Sequence, residues 1–544
     1  MRGQSLGKMA AGAAAITMLA AGCSFGSSDD AESLPHAVSI GIVEPDSLIP
    51  SNTTEANGSQ VLASLFYPLV RFDAKRQPYP VAAAAITHDK ANQVWTIKLR
   101  PGFTFSNGEP VTADNYLNAW NYGAYGPNAQ LAAYFFSRID GYAAMQSVDP
   151  DGSGPQKAPA PRAKALSGLK KVDDLTFTVT LSAGFAGWES VLGYDAFYPL
   201  PKAAFSSDGV LADGFRDAPI GNGPFKMRGK WQHDERIQVE KVANFPGTVP
   251  KVDGIVWKIY GDLGSQYSDL TGGKLDVETQ IPVESLSSAA SDLGPRLQKS
   301  PSSAFAFLGF PQYDAGFKNR DVRHALSMAI NRQEMTDQIF RGAETPATSF
   351  VSPVVSGYRA NTCGEWCKYE PSRARQLYTQ AGGPPDIKIT YNSDGGHKPW
   401  VDAMCDQIKA SLGVNCTGVG VPTFSDLLAK LRSHEPVGLV RLAWTMDYPL
   451  MENYLAPLYT TDGSSNYYGY TNSAFDSLVR EGSEAATTDE AKKKWQAAED
   501  ILAQDMPVLP LRFGQNVFGH SERVTDVSMD LFQKVDIYQL ELTG

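Results

Sequence analysis

A run of small and apolar residues at positions 9–21 lies close to the start of the chain. Arg2 and Lys8 precede it and give the segment a basic beginning, as in a secretory signal. The run has the length of such a signal and is too short to cross a bilayer as a permanent helix. Because no later stretch is long and apolar enough to span a membrane, we expect the rest of the chain to fold outside it.

The signal segment ends in LAAGC at residues 19–23, with small residues directly before Cys23. It resembles a bacterial lipoprotein signal, in which the cysteine is lipidated and becomes the mature N-terminus. This resemblance implies an exported protein anchored by its lipid to the outer face of the cell membrane. Residues 1–22 would be the signal peptide, and the small polar residues of 23–34 would form a flexible tether. The alternative is an ordinary secretory signal with an incidental cysteine.

Composition excludes two classes of protein. At about 100–200 residues per domain, a chain of 544 residues has room for about two to four domains. A hydrophobic share of 42% with 10% aromatic residues excludes a largely disordered chain. Asp and Glu number 59 against 48 Lys and Arg, which gives a net charge of −11. Such a surface repels phosphate backbones, so nucleic acid is not an expected partner.

Four further cysteines lie in the second half of the chain, at positions 363, 367, 405 and 416. An even number in an exported protein indicates disulfides, and four cysteines allow three pairings. We favour Cys363–Cys367 and Cys405–Cys416, because both pairs are local in sequence. The alternative is a zinc site, but the spacings C-x3-C and C-x10-C are poor for one and His397 is the only nearby histidine. No metal or other cofactor is expected.

Strand patterns dominate the early part of the chain. Residues 95–100 and 176–181 alternate apolar and polar side chains with the period of two that is typical of a half-buried strand. Residues 147–162 are rich in Pro, Gly, Asp and Lys without periodicity, which predicts a surface loop.

Helix patterns are stronger in the second half. Apolar residues at three- and four-residue spacings predict a helix over 319–342, closed by Gly342. The sequence TTDE at 487–490 is a capping-box pattern and predicts a helix start, while Pro507 and Pro510 end that helix and begin an extended segment. Strands and helices mixed without strict alternation favour an α/β or α+β architecture in several domains.

Catalytic motifs are nearly absent. The chain has no G-x-S-x-G, no H-E-x-x-H and no P-loop, and its seven histidines show no metal-ligand spacing. Ser167 begins an S-x-x-K pattern, SGLK, but neither S-D-N nor K-T-G follows it. We therefore expect a protein that is not an enzyme. An exported hydrolase that uses Ser167 is the less favoured alternative.

Five stretches carry a family resemblance. They occur in one order along almost the whole chain: LFYPLVRFD at 65–73, WTIKLRPGFTFSNGEPVTAD at 95–114, GNGPF at 221–225, NRDVRHALSMAINR at 319–332 and WTMDY at 444–448. Together they resemble the oligopeptide- and dipeptide-binding receptors of bacterial ABC importers, the extracellular solute-binding proteins of family 5.

The resemblance implies an α/β fold with two lobes, like that of type II periplasmic binding proteins, and a ligand cleft between the lobes. A two-segment hinge would join the lobes near residues 303–310 and 509–513, so that the cleft can close on its ligand. The implied domains are lobe one at 35–66, 200–306 and 514–544, an extra domain of lobe one at 67–199, and lobe two at 307–513.

The function that the resemblance implies is transport. The protein would be a monomer that captures short peptides in the cleft and delivers them to a membrane permease driven by cytoplasmic ATPases. It would touch the membrane only through its lipid anchor. A receptor of the same fold for another cargo, such as haem, a nickel chelate or an oligosaccharide, is the main alternative.

Three residues correspond to family positions that hold the charged ends of a peptide. Asp447 would pair with the ligand ammonium, and the alternative is a turn aspartate before Pro449. Arg441 would meet the ligand carboxylate, and the alternative is a buried arginine paired with a protein acid. His397 would lie near the C-terminal end of the peptide, and the alternative is a solvated loop histidine.

Further residues correspond to positions that line the cleft in the family. Phe424 would line a side-chain pocket, and Trp444 and Tyr448 flank Asp447, although all three could equally be core residues. On the side of lobe one, the implied polar contacts are Glu55 and Asn57. The family's tyrosine that faces the cleft corresponds most nearly to Leu131 or Tyr134.

Overall fold

The computed structural model describes residues 34, 36–73, 75–147, 159–207, 209–393, 396–422, 424–530 and 532–543. The chain divides into two units, residues 1–35 and residues 36–544, and the account below concerns the second. The predicted signal peptide and lipidated Cys23 lie outside the described residues, as does most of the loop predicted at 147–162. None of the described helices is both long and apolar enough to cross a membrane.

The strands are short except for two of 13 residues. In chain order they are β1 Ala37–Ile42, β2 Val70–Phe72, β3 Pro78–Pro80, β4 Ala83–His88, β5 Val94–Leu99, β6 Leu169–Asp173, β7 Thr176–Thr180, β8 Phe225–Met227, β9 Arg236–Lys241, β10 Gly254–Ile259, β11 Val277–Glu278, β12 Leu297–Gly309, β13 Glu344–Pro346, β14 Asp386–Asn392, β15 Asn415–Val421, β16 Leu439–Trp444, β17 Val508–His520, β18 Val524–Thr525 and β19 Glu541–Leu542.

The α-helices are concentrated in the second half of the chain. In chain order they are α1 Ala56–Leu65, α2 Ala113–Ala124, α3 Trp188–Val191, α4 Leu263–Thr271, α5 Leu286–Leu293, α6 Arg320–Met328, α7 Arg332–Gln338, α8 Pro371–Gln380, α9 Lys398–Leu412, α10 Phe424–Arg432, α11 Glu452–Tyr459, α12 Ser473–Ser483 and α13 Thr488–Asp505.

An 11-stranded mixed sheet runs through the protein in the order β15-β14-β16-β12-β17-β11-β1-β10-β9-β8, with β13 paired to β17. One half is built around β1, which is parallel to both β10 and β11. The other half is built around β14, which is parallel to both β15 and β16. The long strands β12 and β17 lie between these halves and are antiparallel to each other.

Strands β12 and β17 belong to both halves of the sheet. Residues 297–301 of β12 pair with residues 515–519 of β17 beside β11, and residues 305–309 pair with residues 508–513 beside β16. The register shifts at residues 302–304, which is the signature of a β-bulge. The chain thus crosses between the halves in two extended segments, where the hinge is predicted. The exact domain boundaries stay a prediction.

A separate four-stranded antiparallel sheet, β4-β5-β7-β6, lies in the predicted extra domain. The strand predictions at 95–100 and 176–181 are confirmed by β5 and β7, whose buried side chains alternate with more exposed ones as the period of two requires. Helix α2 packs on this sheet through Trp120, whose ring centroid lies 5.5 Å from that of Phe177.

The prediction of a single helix over 319–342 is wrong. The structure has two helices there, α6 and α7, separated at residues 329–331. The Asn331 side chain accepts a hydrogen bond from the Glu334 N–H, so it caps a new helix where periodicity alone continues the old one. Gly342 has a positive φ of 69°, but α7 ends before it, at Gln338.

The helix predicted from the TTDE pattern is confirmed. Thr487 accepts from the Glu490 N–H at 3.3 Å and caps α13, which ends at Asp505 before β17 begins. The structure also contains both disulfides favoured from the sequence. Cys363–Cys367 closes a short loop, and Cys405–Cys416 ties α9 to β15. Among the described residues, no group of three or more His, Cys, Asp and Glu side chains is arranged to hold a metal ion.

One carboxyl is buried in the half of the sheet around β1. Glu278 is 0% exposed and lies opposite Gly41 of β1 and Gly519 of β17. Neither of its carboxyl oxygens has a hydrogen-bond partner among the described residues, and burial raises its pKa to about 8. The neutral, protonated form therefore predominates in the folded protein below that pH.

Titration of Glu278 predicts a stability that depends on pH. The pKa of Glu278 in the folded state lies above the ordinary value of 4.5. The contribution of the protonated carboxyl to the stability of the fold is therefore complete below pH 4.5 and is lost as the pH rises through about 8. Glu278→Gln stays neutral. Urea titrations at pH 5 and pH 8.5 measure how far the unfolding free energy falls between the two. We expect the fall in Glu278→Gln to be smaller than the fall in the wild type, and the difference between the two to be roughly 2–5 kcal/mol.

The exposed Glu284 provides a matched control for this measurement. Glu284→Gln should unfold with the pH dependence of the wild type. If Glu278→Gln does so as well, the buried carboxyl does not control the loss of stability at alkaline pH.

Candidate functional site

Asp447 lies three residues beyond the end of β16 and is half-buried. Its Oδ1 accepts a hydrogen bond from the Tyr134 hydroxyl at 3.1 Å, and its Oδ2 accepts from Asn453 Nδ2 at 3.0 Å. Burial raises the pKa of the Asp447 carboxyl, and the two hydrogen bonds oppose that rise. The carboxylate is thus fixed between residues far apart in sequence, which a simple turn aspartate does not require.

Asn453 holds this segment in place from the first turn of α11. Its Oδ1 accepts from the Asp447 N–H at 2.7 Å, while its Nδ2 donates to the Asp447 carboxylate. The Trp444 indole N–H also approaches Asn453 Oδ1, at 3.4 Å. One amide side chain therefore orients both Asp447 and Trp444.

An ion pair lies beside Asp447, with its acid buried and its arginine half-buried. Glu452 is 1% exposed and forms a salt bridge with Arg138. The Tyr448 hydroxyl donates to Glu452 Oε2 at 2.6 Å, and the Arg138 guanidinium lies 4.2 Å from the ring centroid of Phe185. Tyr134 and Arg138 come from the segment 67–199 and the acids from the segment 307–513, so these contacts join the two segments.

Residues of both segments enclose a cavity of about 300 Å³, called the aspartate cavity below. Three acidic side chains line it, with Arg138 as the single basic one among the described residues. Aromatic rings supply much of the remaining wall. The acids are Asp447, Glu452 and Asp462, and the aromatic residues are Tyr134, Phe135, Trp444 and Tyr448.

A second cavity, of about 380 Å³, lies along the crossing strands and is called the amide cavity below. Thr445, next to Trp444, lines it, so the chain at the end of β16 and just after it contributes to both cavities. Most of its polar lining consists of amide side chains, which both donate and accept hydrogen bonds. These are Asn57, Gln60, Gln266, Gln280, Gln515, Asn516 and Gln533.

A charged cluster lies at one side of the amide cavity. Glu344 lines the cavity and pairs with Arg512, whose guanidinium lies 4.3 Å from the Phe340 ring centroid and 4.9 Å from that of Trp400. Burial raises the pKa of Glu344, and the charges of Arg512 and Arg441 oppose that rise. Arg441 lines neither cavity. Its Nη1 lies 3.4 Å from Asn392 Oδ1, and its role toward a ligand stays a prediction.

The predicted residues of lobe one separate in the structure. Asn57 lines the amide cavity, and its Oδ1 accepts from the Val43 N–H at 3.1 Å. The Glu55 carboxylate instead caps α1, accepting from the N–H groups of Asn57 and Gly58 at 2.6 Å. Of the two candidates for the tyrosine facing the cleft, Tyr134 reaches Asp447, whereas Leu131 is exposed and lines neither cavity.

Several predicted residues do not reach the two cavities. His397 is 7% exposed at the start of α9 and accepts from the Trp400 indole N–H at 3.3 Å, so it is not a solvated loop histidine. Phe424 is exposed on α10 and lines neither cavity. Ser167 donates to Asp140 at 2.8 Å, and it too lies outside both cavities.

Sequence reasoning missed Asn453, Arg138 and Glu344. Asn453 could have been found, because a polar residue in the first turn of the helix after WTMDY is well placed to bond back to Asp447. Arg138 and Glu344 carried no local signal, since their partners Glu452 and Arg512 are more than 150 residues away in the sequence.

Comparison with known proteins agrees with this architecture. The chain matches the family described as bacterial extracellular solute-binding proteins, family 5 Middle, over residues 77–466. Oligopeptide-binding protein OppA of Bacillus subtilis (strain 168) is 24% identical over 500 residues, which cover 89% of each chain. Glutathione-binding protein GsiB of Escherichia coli (strain K12) is 24% identical over 520 residues, 94% of this chain and 93% of that protein.

The structure of HbpA2 from Haemophilus parasuis superposes with a TM-score of 0.79 at 21% identity. The match covers 93% of this chain and all of that one. The predicted α/β fold, with two lobes joined by two crossing segments like a type II periplasmic binding protein, is thereby confirmed. The family match spans well over half of the sequence, and the chain belongs to the bacterial extracellular solute-binding proteins of family 5.

Proposed function

We propose that this chain is the substrate-binding lipoprotein of an ABC-type peptide importer. It captures short peptides between its lobes and delivers them to a membrane permease driven by cytoplasmic ATPases. The observation that carries this proposal is the Asp447 carboxylate, which is held by Asn453 and Tyr134 at the wall of a cavity between two segments of the chain.

Asp447 suits the ammonium group of a peptide. A carboxylate has about four lone-pair positions, and Tyr134 and Asn453 each use one of them. An ammonium ion that leaves water needs an anionic partner, since an unpaired buried charge is costly. In return, the cation offsets the burial that raises the pKa of Asp447. Trp444 and Tyr448 would flank this group.

The peptide backbone can be recognised without regard to its side chains. Strand β14 pairs with β16 at Leu439 and Val440 and ends at Asn392, so the last residues of β16 extend past it and can offer a backbone edge to an extended ligand. The amide cavity adds neutral donors and acceptors that match peptide groups, with Asn57 among them. Such a lining binds many sequences, and the names of the relatives OppA and GsiB also point to small peptides as ligands.

The other proposed contacts have weaker support. Arg441 and His397 would act at the far end of the peptide, but both line neither cavity. The same is true of Phe424, and the Glu55 carboxylate is engaged by α1. The alternative cargoes (haem, a nickel chelate or an oligosaccharide) stay predictions, as does the exported hydrolase.

Asp447→Asn should weaken peptide binding by at least about tenfold, because the ammonium loses a charged partner. Isothermal titration with a mixed pool of di- to pentapeptides measures this. Asp406→Asn is the matched control, since Asp406 is exposed and lines neither cavity, and it should bind like the wild type. The site is wrong if Asp447→Asn binds as tightly as the wild type, and the function is wrong if the wild type binds no peptide.

Cys23→Ser should release the protein from the membrane, because the thiol that carries the proposed lipid is gone. Detergent phase partitioning of the exported protein measures the change, and Ser24→Ala should remain in the detergent phase with the wild type. Retention of Cys23→Ser in the detergent phase would contradict lipid anchoring at this position.

A further inference from the structure

A third cavity, of about 390 Å³, shares no lining residue with the aspartate and amide cavities and is called the aromatic cavity below. Four aromatic rings line it, and aliphatic side chains supply much of the remaining wall. The rings belong to Phe72, Tyr198, Phe532 and Tyr538. The ring centroids of Phe72 and Phe532 lie 5.7 Å apart, within the range of direct ring contact. A lining of this kind suits an apolar or aromatic group of a ligand.

The charged side chains of the aromatic cavity balance one another. Three basic and three acidic residues line it among the described residues, namely Arg71, Arg76, Lys534, Asp73, Asp530 and Asp536. Lys534 Nζ donates to Asp195 Oδ1 at 2.8 Å, and the Arg71 guanidinium lies 4.3 Å from the Tyr538 ring centroid. The lining thus offers no excess of either charge, so an uncharged ligand group is favoured over an ionised one, whose burial would need a counter-charge.

The aromatic cavity adjoins the amide cavity along two regular elements. On α1, Gln60 lines the amide cavity, and Ala63, three residues later on the same helix face, lines the aromatic cavity. On β12, Ser302 lines the amide cavity and residues 300–301 line the aromatic cavity. Since adjacent residues of both elements line one cavity and then the other, the two cavities are neighbours.

Gln533 lies in the wall between these neighbours. It lines the amide cavity, whereas Phe532 and Lys534 on either side of it in the chain line the aromatic cavity. Gln533 Nε2 donates to Ser302 Oγ at 2.6 Å, so this contact across the wall is made by side chains, which can change rotamer without moving the backbone. Gln533 also has a positive φ of 64°, and residues other than glycine in that conformation cluster at functional sites.

We propose that the aromatic cavity is a side-chain pocket of the ligand site, which takes a large uncharged side chain of the bound peptide, above all an aromatic one. The peptide backbone lies in the amide cavity, and rotation of the Gln533 side chain away from Ser302 admits the ligand side chain. This inference rests on the proposed peptide-binding function and adds a side-chain preference to it.

The test compares two pools of tri- to pentapeptides by isothermal titration. One pool contains only alanine, glycine and serine, and in the other a single residue of each peptide is phenylalanine, tyrosine or tryptophan. The wild type should bind the aromatic pool about tenfold more tightly, because burial of the ring adds to the affinity. Ala63→Leu fills part of the aromatic cavity from α1 with a good helix former. It should reduce the preference to about threefold or less and leave binding of the small-residue pool within about twofold.

Ser300→Leu provides the same measurement from β12 if Ala63→Leu fails to fold. Ser300 lines the aromatic cavity, and its Oγ has no hydrogen-bond partner among the described residues, so the substitution removes no such bond. Ala410→Leu is the matched control, since Ala410 is exposed on α9 and lines none of the three cavities, and it should keep the preference of the wild type.

A wild type that binds both pools equally overturns the inference and leaves the proposed function standing. Folded Ala63→Leu or Ser300→Leu with the full preference for the aromatic pool also overturns it, because that preference then arises elsewhere. A wild type that binds neither pool overturns both the inference and the proposed function.

Discussion

The antiparallel ladder between β12 and β17 is the interaction on which the rest of the structure depends. Each strand has 13 residues, and their paired length joins the strands built around β1 to those built around β14. Backbone hydrogen bonds make a continuous ladder stiff along its length, while the shift at residues 302–304 interrupts it locally. The sheet therefore stays continuous, although its regular pairing is interrupted where the chain crosses between the two halves.

The candidate site lies beside this crossing because β16 pairs directly with β12. The end of β16 and the chain that follows it carry Trp444, Thr445 and Asp447, which line the aspartate cavity or the amide cavity. Charged groups are held there in pairs, Arg138 with Glu452 and Arg512 with Glu344. Pairing of this kind is what permits ionised side chains in a partly desolvated cleft.

Local sequence predicted those parts of the fold that local physics controls. Strands β5 and β7 and the capped start of α13 appear where predicted. Both the alternation of buried and exposed side chains and the capping of a helix depend on residues only a few positions apart. The prediction of one helix over 319–342 was wrong for the same reason, because capping is a local effect. The Asn331 side chain offers the Glu334 N–H a better partner than helical periodicity can reveal, and the helix divides there.

The sequence by itself determined the family, the α/β class and the position of Asp447, because the ordered motifs and the strand end that carries WTMDY are local patterns. Only the tertiary structure decided which partners Asp447 has, that Glu55 caps a helix, and that Glu344 pairs with Arg512. The physical reason is distance along the chain. Tyr134 and Asp447 are 313 residues apart, so folding alone brings them within hydrogen-bond reach.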